Sequence, residues 1–99
     1  MAAQFDLYRT PDGVLVVVLQ ADLLDGLTTR VVAPLVPAGS VGRPLPALNP
    51  VVTLGESRWL VMPQLAATLT LPELGDRVGS LAMMRDAIIR ALDALLSGV

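Results

Sequence analysis

The 99-residue chain has no cysteine, no histidine and no lysine. Without cysteine, neither a disulfide framework nor a thiolate metal site can form. Without histidine, the commonest general base and the commonest metal ligand are both missing. Aromatic residues are scarce: Phe5, Tyr8 and Trp59 are the whole set, so a core must be built from Val, Leu, Ala and Ile. Long apolar runs are absent too. The longest, Val14–Leu19, falls far short of the ~20 residues that span a bilayer. The opening Met1-Ala2-Ala3-Gln4-Phe5-Asp6 lacks the basic region and apolar stretch of a signal peptide, so the expected location is cytoplasmic, with no membrane partner. All seven basic residues are Arg, which reads as a bias of composition. A net charge of −2 and a pI near 4.7 argue against direct binding of nucleic acid.

What the chain has in excess is aliphatic surface. Its hydrophobic fraction, 54%, exceeds the ~45–50% usual for soluble domains. The length suits a single domain over residues 1–99, large enough for one core but not a generous one. The surplus is expected to be covered in a homodimer. It is concentrated in Ser80–Val99, where residues 81–96 carry only Arg85, Asp86, Arg90 and Asp93 as polar side chains. Strong helix formers without Pro or Gly predict a helix over Leu81–Leu96, with Ser80 available as its N-cap. Asp86, Arg90, Asp93 and Ser97 fall on one narrow polar stripe. The rest of the cylinder is apolar, well beyond the ~100° stripe one packed face needs, and its last residues, Ser97-Gly98-Val99, would form a free tip.

Upstream, the pattern is one of short strands. Phe5–Tyr8 alternates, Thr10-Pro11-Asp12-Gly13 has turn chemistry, and Val14–Gln20 reads as a buried strand, which together predict a hairpin. Ala21-Asp22-Leu23-Leu24-Asp25-Gly26 is too short for a real helix. The simpler and favoured reading is a loop whose leucines tuck into the core; the alternative presents Leu23 and Leu24 at a protein interface. Thr28–Val36 is a strand, and Pro34 suggests an edge or a bulge. Pro37–Pro46 reads as a long loop. Asn49–Met62 reads as two strands about a Gly55-Glu56-Ser57 turn, and Pro63–Ala67 as a turn or a helical scrap. Thr68–Leu71 alternates as a strand, and Pro72–Asp76 breaks the pattern before the helix. The expected class is a small, mainly β barrel of antiparallel strands closed by a C-terminal helix.

Candidate chemistry is sparse. Gly39-Ser40-Val41-Gly42 lacks the Lys-Ser/Thr of a phosphate loop. Asp22 and Asp25 read as solvated loop charges before metal ligands, and Ser57 and Ser97 have no His to activate them. Trp59 reads as a core residue. Arg30, preceded by two threonines on a strand, is the one candidate for ribonuclease chemistry.

Several segments recur together, in order. They are Gln4-Phe5, Gln20-Ala21-Asp22-Leu23-Leu24-Asp25 and Arg30-Val31-Val32-Ala33-Pro34-Leu35. Asn49-Pro50-Val51-Val52-Thr53-Leu54-Gly55-Glu56 follows, with Trp59 and Met62 behind it and Gly98 one residue from the terminus. In this collinear set the chain resembles the CcdB family of bacterial toxins. The resemblance implies a homodimer of SH3-like barrels with the terminal helices along the dimer. It implies a toxin of a type II toxin–antitoxin pair that binds the A subunit of DNA gyrase and traps its cleavage complex. The disordered C-terminal segment of a cognate antitoxin would neutralise it. It implies no enzyme activity, no catalytic residue, no cofactor and no metal. Carried over residue by residue, the gyrase contacts are Ser97, Gly98 and Val99 at the tip, Leu23 and Leu24 in the acidic loop, and Asp93 one turn up the helix. The family's tip is Trp-Gly-Ile, so Ser97 stands where the aromatic was, and Asp93 stands where an amide was. Losing such an aromatic removes on the order of 2–4 kcal/mol, a complex about thirty- to thousandfold weaker. A homologue that binds antitoxin without poisoning gyrase is the alternative, and an endoribonuclease on the same barrel a more distant one.

Overall fold

In the computed structural model, which describes residues 2–98, the aliphatic run from Leu15 decides the architecture. Every residue of strand β2 (Leu15–Val18) is buried. Leu15 and Val17 enter one apolar cluster, with Phe5, Leu7, Leu35, Val61 and Ile88. Val16 and Val18 enter another, with Ala2, Tyr8, Val32 and Leu74. Because successive strand side chains point to opposite faces, a strand apolar on both faces needs cover above and below, and the chain supplies it from two directions.

Strand β1 (Asp6–Arg9) pairs antiparallel with β2 in the register Leu7↔Val17, Tyr8↔Val16 and Arg9↔Leu15. The expected turn closes this hairpin: the Gly13 N–H donates to the Thr10 carbonyl at 2.8 Å, and the Thr10 N–H to that of Val14 at 2.9 Å. Next come β3 (Thr29–Pro37), β4 (Val51–Leu54), β5 (Ser57–Val61), β6 (Ala67–Thr70) and β7 (Asp76–Ser80). The antiparallel sheet has the order β4-β5-β3-β2-β1-β7, with β6 pairing β3. It curls into a half-barrel, a mostly β fold with a C-terminal helix, in agreement with the class expected from the sequence.

Strand β3 is the hub. Its first half pairs β6 from Thr29↔Thr70 to Val32↔Ala67, and its last three residues pair β5 from Leu35↔Val61 to Pro37↔Trp59. Its other side pairs β2. Pro34 therefore does not lie on an edge strand; of the two sequence readings, edge or bulge, the edge is corrected. It sits where the partner changes from β6 to β5, so its missing N–H falls at a break in the ladder, while its carbonyl accepts the Met62 N–H at 2.9 Å. The half-turn Pro63–Leu65 makes that change possible.

Two elements differ from expectation near the C-terminus. Residues 76–80 form β7, paired with β1, although only Val78 in Asp-Arg-Val-Gly-Ser has strand character, so their own pattern carries no strand signal. The terminal helix α2 (Arg85–Ser97) starts later than Leu81. Ser80 belongs to β7, and its hydroxyl accepts the Ala82 N–H at 3.1 Å at the head of a separate 3-10 turn, Ala82–Met84. Ile88 and Ala91, one helical turn apart and fully buried, seat α2 on the sheet, with Leu81 beneath. No helix among the described residues is long and apolar enough to cross a membrane.

One turn of helix, α1 (Leu71–Leu74), covers the second apolar cluster through Leu74. A capping box starts it: the Glu73 carboxylate accepts both the Thr70 N–H and the Thr70 hydroxyl at 2.8 Å. The backbone bond first, then the hydroxyl bond, holds the Glu73 carboxyl below its usual range. A group whose folded value is depressed adds stability that is complete above its unfolded value and is lost as pH falls through the folded one. Glu73→Gln should therefore lower the urea midpoint modestly at neutral pH, with the difference from the parent vanishing in acid.

Candidate functional site

Leucines 23 and 24 do not tuck into the core. Asp22–Leu24 forms a single 3-10 turn without a buried residue; Leu23 is 91% exposed and Leu24 half exposed. This corrects the favoured sequence reading, in which they tuck into the core, and the reason is polar rather than apolar. The turn closes through the Leu24 N–H to the Ala21 carbonyl and the Asp25 N–H to the Asp22 carbonyl, both at 3.0 Å. The Asp22 carboxylate accepts the Gln4 N–H at 2.7 Å. These bonds leave the two side chains between them pointing outward.

Leu24 lines an apolar groove of about 500 Å³ with Leu27, Val31, Leu92, Leu95 and Leu96. Leu96 is 80% exposed, so the loop and the last turns of α2 form one continuous aliphatic surface. The surplus apolar face that the sequence assigned to the helix is thus partly uncovered in the single chain. Leu27, Leu95 and Leu96 were not singled out from sequence. For Leu95 and Leu96 the available signal was the surplus apolar face of the predicted helix, to which both belong; Leu27 carried none.

The remaining site residues of the sequence reading are distributed around the end of α2. Asp93 and Gly98 line a different concavity, with Pro46, Pro50, Ala87 and Arg90, so the structure does not bring them into the groove of Leu24. The Ser97 hydroxyl donates to the Asp93 carbonyl at 2.8 Å, turning back along its own helix. Gly98 caps α2 in the left-handed conformation (φ +73°), its N–H donating to the Ala94 carbonyl at 3.0 Å, a position that favours glycine. Val99 lies outside the described residues.

Arg30, the ribonuclease candidate of the sequence, is buried. It is 1% exposed, and its guanidinium donates only to backbone carbonyls. Nε donates to Ala2 at 3.1 Å, Nη1 to Leu27 at 2.7 Å and Thr29 at 2.8 Å, and Nη2 to Asp25 at 3.1 Å. A cation so enclosed cannot approach a phosphodiester. Trp59 is half-buried and packs against the core, as the sequence suggested. Among the described residues no group of three or more acids is placed to hold a metal ion.

A family model described as CcdB protein matches residues 4–98. No curated protein matches the sequence closely enough to count as a relative. Among solved structures, one described as "Endoribonuclease from Mycobacterial species" is similar to this chain with a TM-score of 0.74 at 20% identity, covering 95% of this chain and 89% of that one. At that identity the likeness is one of fold. It nevertheless corrects the expectation, drawn from the family resemblance, that the chain is not an enzyme: a protein of the same fold is named for a catalytic activity.

Proposed function

The chain belongs to the CcdB family, the toxins of toxin–antitoxin pairs, and from that premise we propose that it arrests growth by binding the A subunit of DNA gyrase. The observation that supports this reading is the outward-facing Leu23–Leu24 turn, continuous with Leu95 and Leu96 at the end of α2. An exposed aliphatic patch of this kind on a small protein marks a protein-binding surface. The proposed contacts are Leu23, Leu24 and the helix end with Asp93, Ser97, Gly98 and Val99. A second copy of the chain would cover the other part of the apolar helix surface, and the disordered C-terminal segment of an antitoxin would block access to the target. Induced expression should arrest growth, and the purified protein should raise the fraction of gyrase-cleaved plasmid. Neither effect at micromolar excess would sink the proposal.

Ser97 gives this reading a gain-of-function test. Its side chain now bonds only within its own helix, so Ser97→Trp adds contact area without removing a tertiary interaction. It should tighten gyrase binding by at least about thirtyfold, the lower part of what an interface aromatic contributes. Calorimetric titration of the A subunit would measure it, and unchanged affinity would place the contact elsewhere.

A second reading, endoribonuclease activity, is favoured by the fold shared with the mycobacterial protein. Cleavage of a long single-stranded RNA by the purified protein, abolished by the antitoxin, would establish it. Intact RNA under conditions where the protein arrests growth would remove it. Arg30→Ala, the variant the sequence suggested for this test, is unsuitable because Arg30 is buried.

A further inference from the structure

Exposed loops that carry apolar side chains are ordinarily mobile, since nothing packs against them. The 22–27 loop is tied down from beneath instead. Arg30 reaches out of β3 and holds the Asp25 and Leu27 carbonyls on the loop, together with those of Thr29 and Ala2. Gln20, two residues beyond β2 on the way into the loop, donates through Nε2 to the Leu24 and Thr29 carbonyls, each at 3.1 Å, and accepts the Val31 N–H at 3.1 Å. Gln4 closes the entry side, its N–H on the Asp22 carboxylate and its amide on the Leu19 carbonyl at 3.0 Å.

Among the described residues no carboxylate pairs with Arg30; backbone dipoles alone compensate its buried charge. An apolar residue there would avoid the desolvation that a buried cation incurs. What the guanidinium provides and an apolar side chain cannot is a planar fork of donors that fixes several carbonyls in one arrangement.

We propose that Arg30 and Gln20 are positioning residues that hold the Leu23–Leu24 turn in its binding shape before the target arrives. The inference rests on the gyrase reading above for its target, though not for its geometry. Ordering a free loop on binding opposes association, and an already ordered one is spared that penalty.

The test uses two variants of the full chain. Gln20→Met keeps length and stem while removing all three amide bonds, at a half-buried position where the fold should survive. Arg30→Lys keeps the charge but loses the fork. Hydrogen exchange at the Leu24, Asp25 and Leu27 amides should accelerate in both, with β2 and β3 unchanged except at Val31, whose N–H loses its acceptor in Gln20→Met, and affinity for the isolated gyrase A subunit should fall about tenfold. Faster loop exchange with undiminished affinity would overturn the proposal, as would unchanged exchange. If the parent protein does not bind the A subunit, the target reading fails. The clamp is then decided by exchange in Gln20→Met alone, upheld by acceleration confined to residues 22–28 and the Val31 amide and overturned by none in residues 22–28.

Discussion

Gly75→Ala should cost more than about 3 kcal/mol, a large share of the roughly 5–15 kcal/mol that holds a domain folded. Gly75 follows α1 with φ +79° and ψ −133°, a region that side chains other than hydrogen do not tolerate. A Cβ there would also run into the Arg9 carbonyl oxygen and crowd the Thr10 Cα, both backbone atoms. Neither can rotate away as a side chain would. Arg9 and Asp76 face each other across the β1–β7 pair, so relief requires moving the strand that pairs with half of the hairpin. Gly42→Ala is the control: it has ordinary φ and open space around it, and should change stability by less than about 0.5 kcal/mol. Thermal or urea unfolding would compare the two. A Gly75→Ala protein as stable as the Gly42→Ala one would mean that the approach of the α1–β7 connection to β1 is not tight in solution.

Leu23→Asp should do the reverse, leaving the fold intact and abolishing function. At 91% exposure the leucine contributes almost nothing to the core, and a polar replacement at such a position changes stability by about 0.5 kcal/mol or less. If Leu23 anchors the target, a charge placed in a dry contact removes the apolar gain and adds desolvation. The affinity for the gyrase A subunit should drop by about two orders of magnitude or more, and growth arrest should disappear at equal expression. An unchanged urea midpoint provides the check on folding. Full toxicity in the Leu23→Asp variant would show that the exposed turn is not the binding surface.

The strands that the sequence made legible are those whose chemistry is local. Thr10-Pro11-Asp12-Gly13 closes a hairpin because each residue suits its place in the turn, and Leu15–Val18 forms a strand because β-branched residues fit an extended backbone covered on both faces. β7 was illegible for the complementary reason. Residues 76–80 are extended because β1 offers an unpaired edge next to Gly79 and Arg77, a circumstance present only after the hairpin exists. Pro34 misled in the same way. A proline counts against a central strand only where its N–H is wanted, and no local pattern reports that β3 changes partners there.

The candidate site divides along the same line. The composition of the chain, with its surplus of aliphatic residues, and the helix-forming run at its end pointed to apolar surface beyond what one small core buries, and Leu95 and Leu96 are exposed in the single chain. The sequence could not decide which leucines would be inside. Leu23 and Leu24 have the same hydrophobicity as the buried Leu15 and Leu35, and on that ground alone they belong in the core. Their position outside is decided by Arg30, Gln20 and Gln4, residues up to eighteen positions away from the loop groups they hold, whose hydrogen bonds to the loop exist only in the folded chain. Propensity and hydrophobic pattern act between neighbours and so can be read in order along a sequence. Burial and polar satisfaction act through space, and only the tertiary structure assigns them.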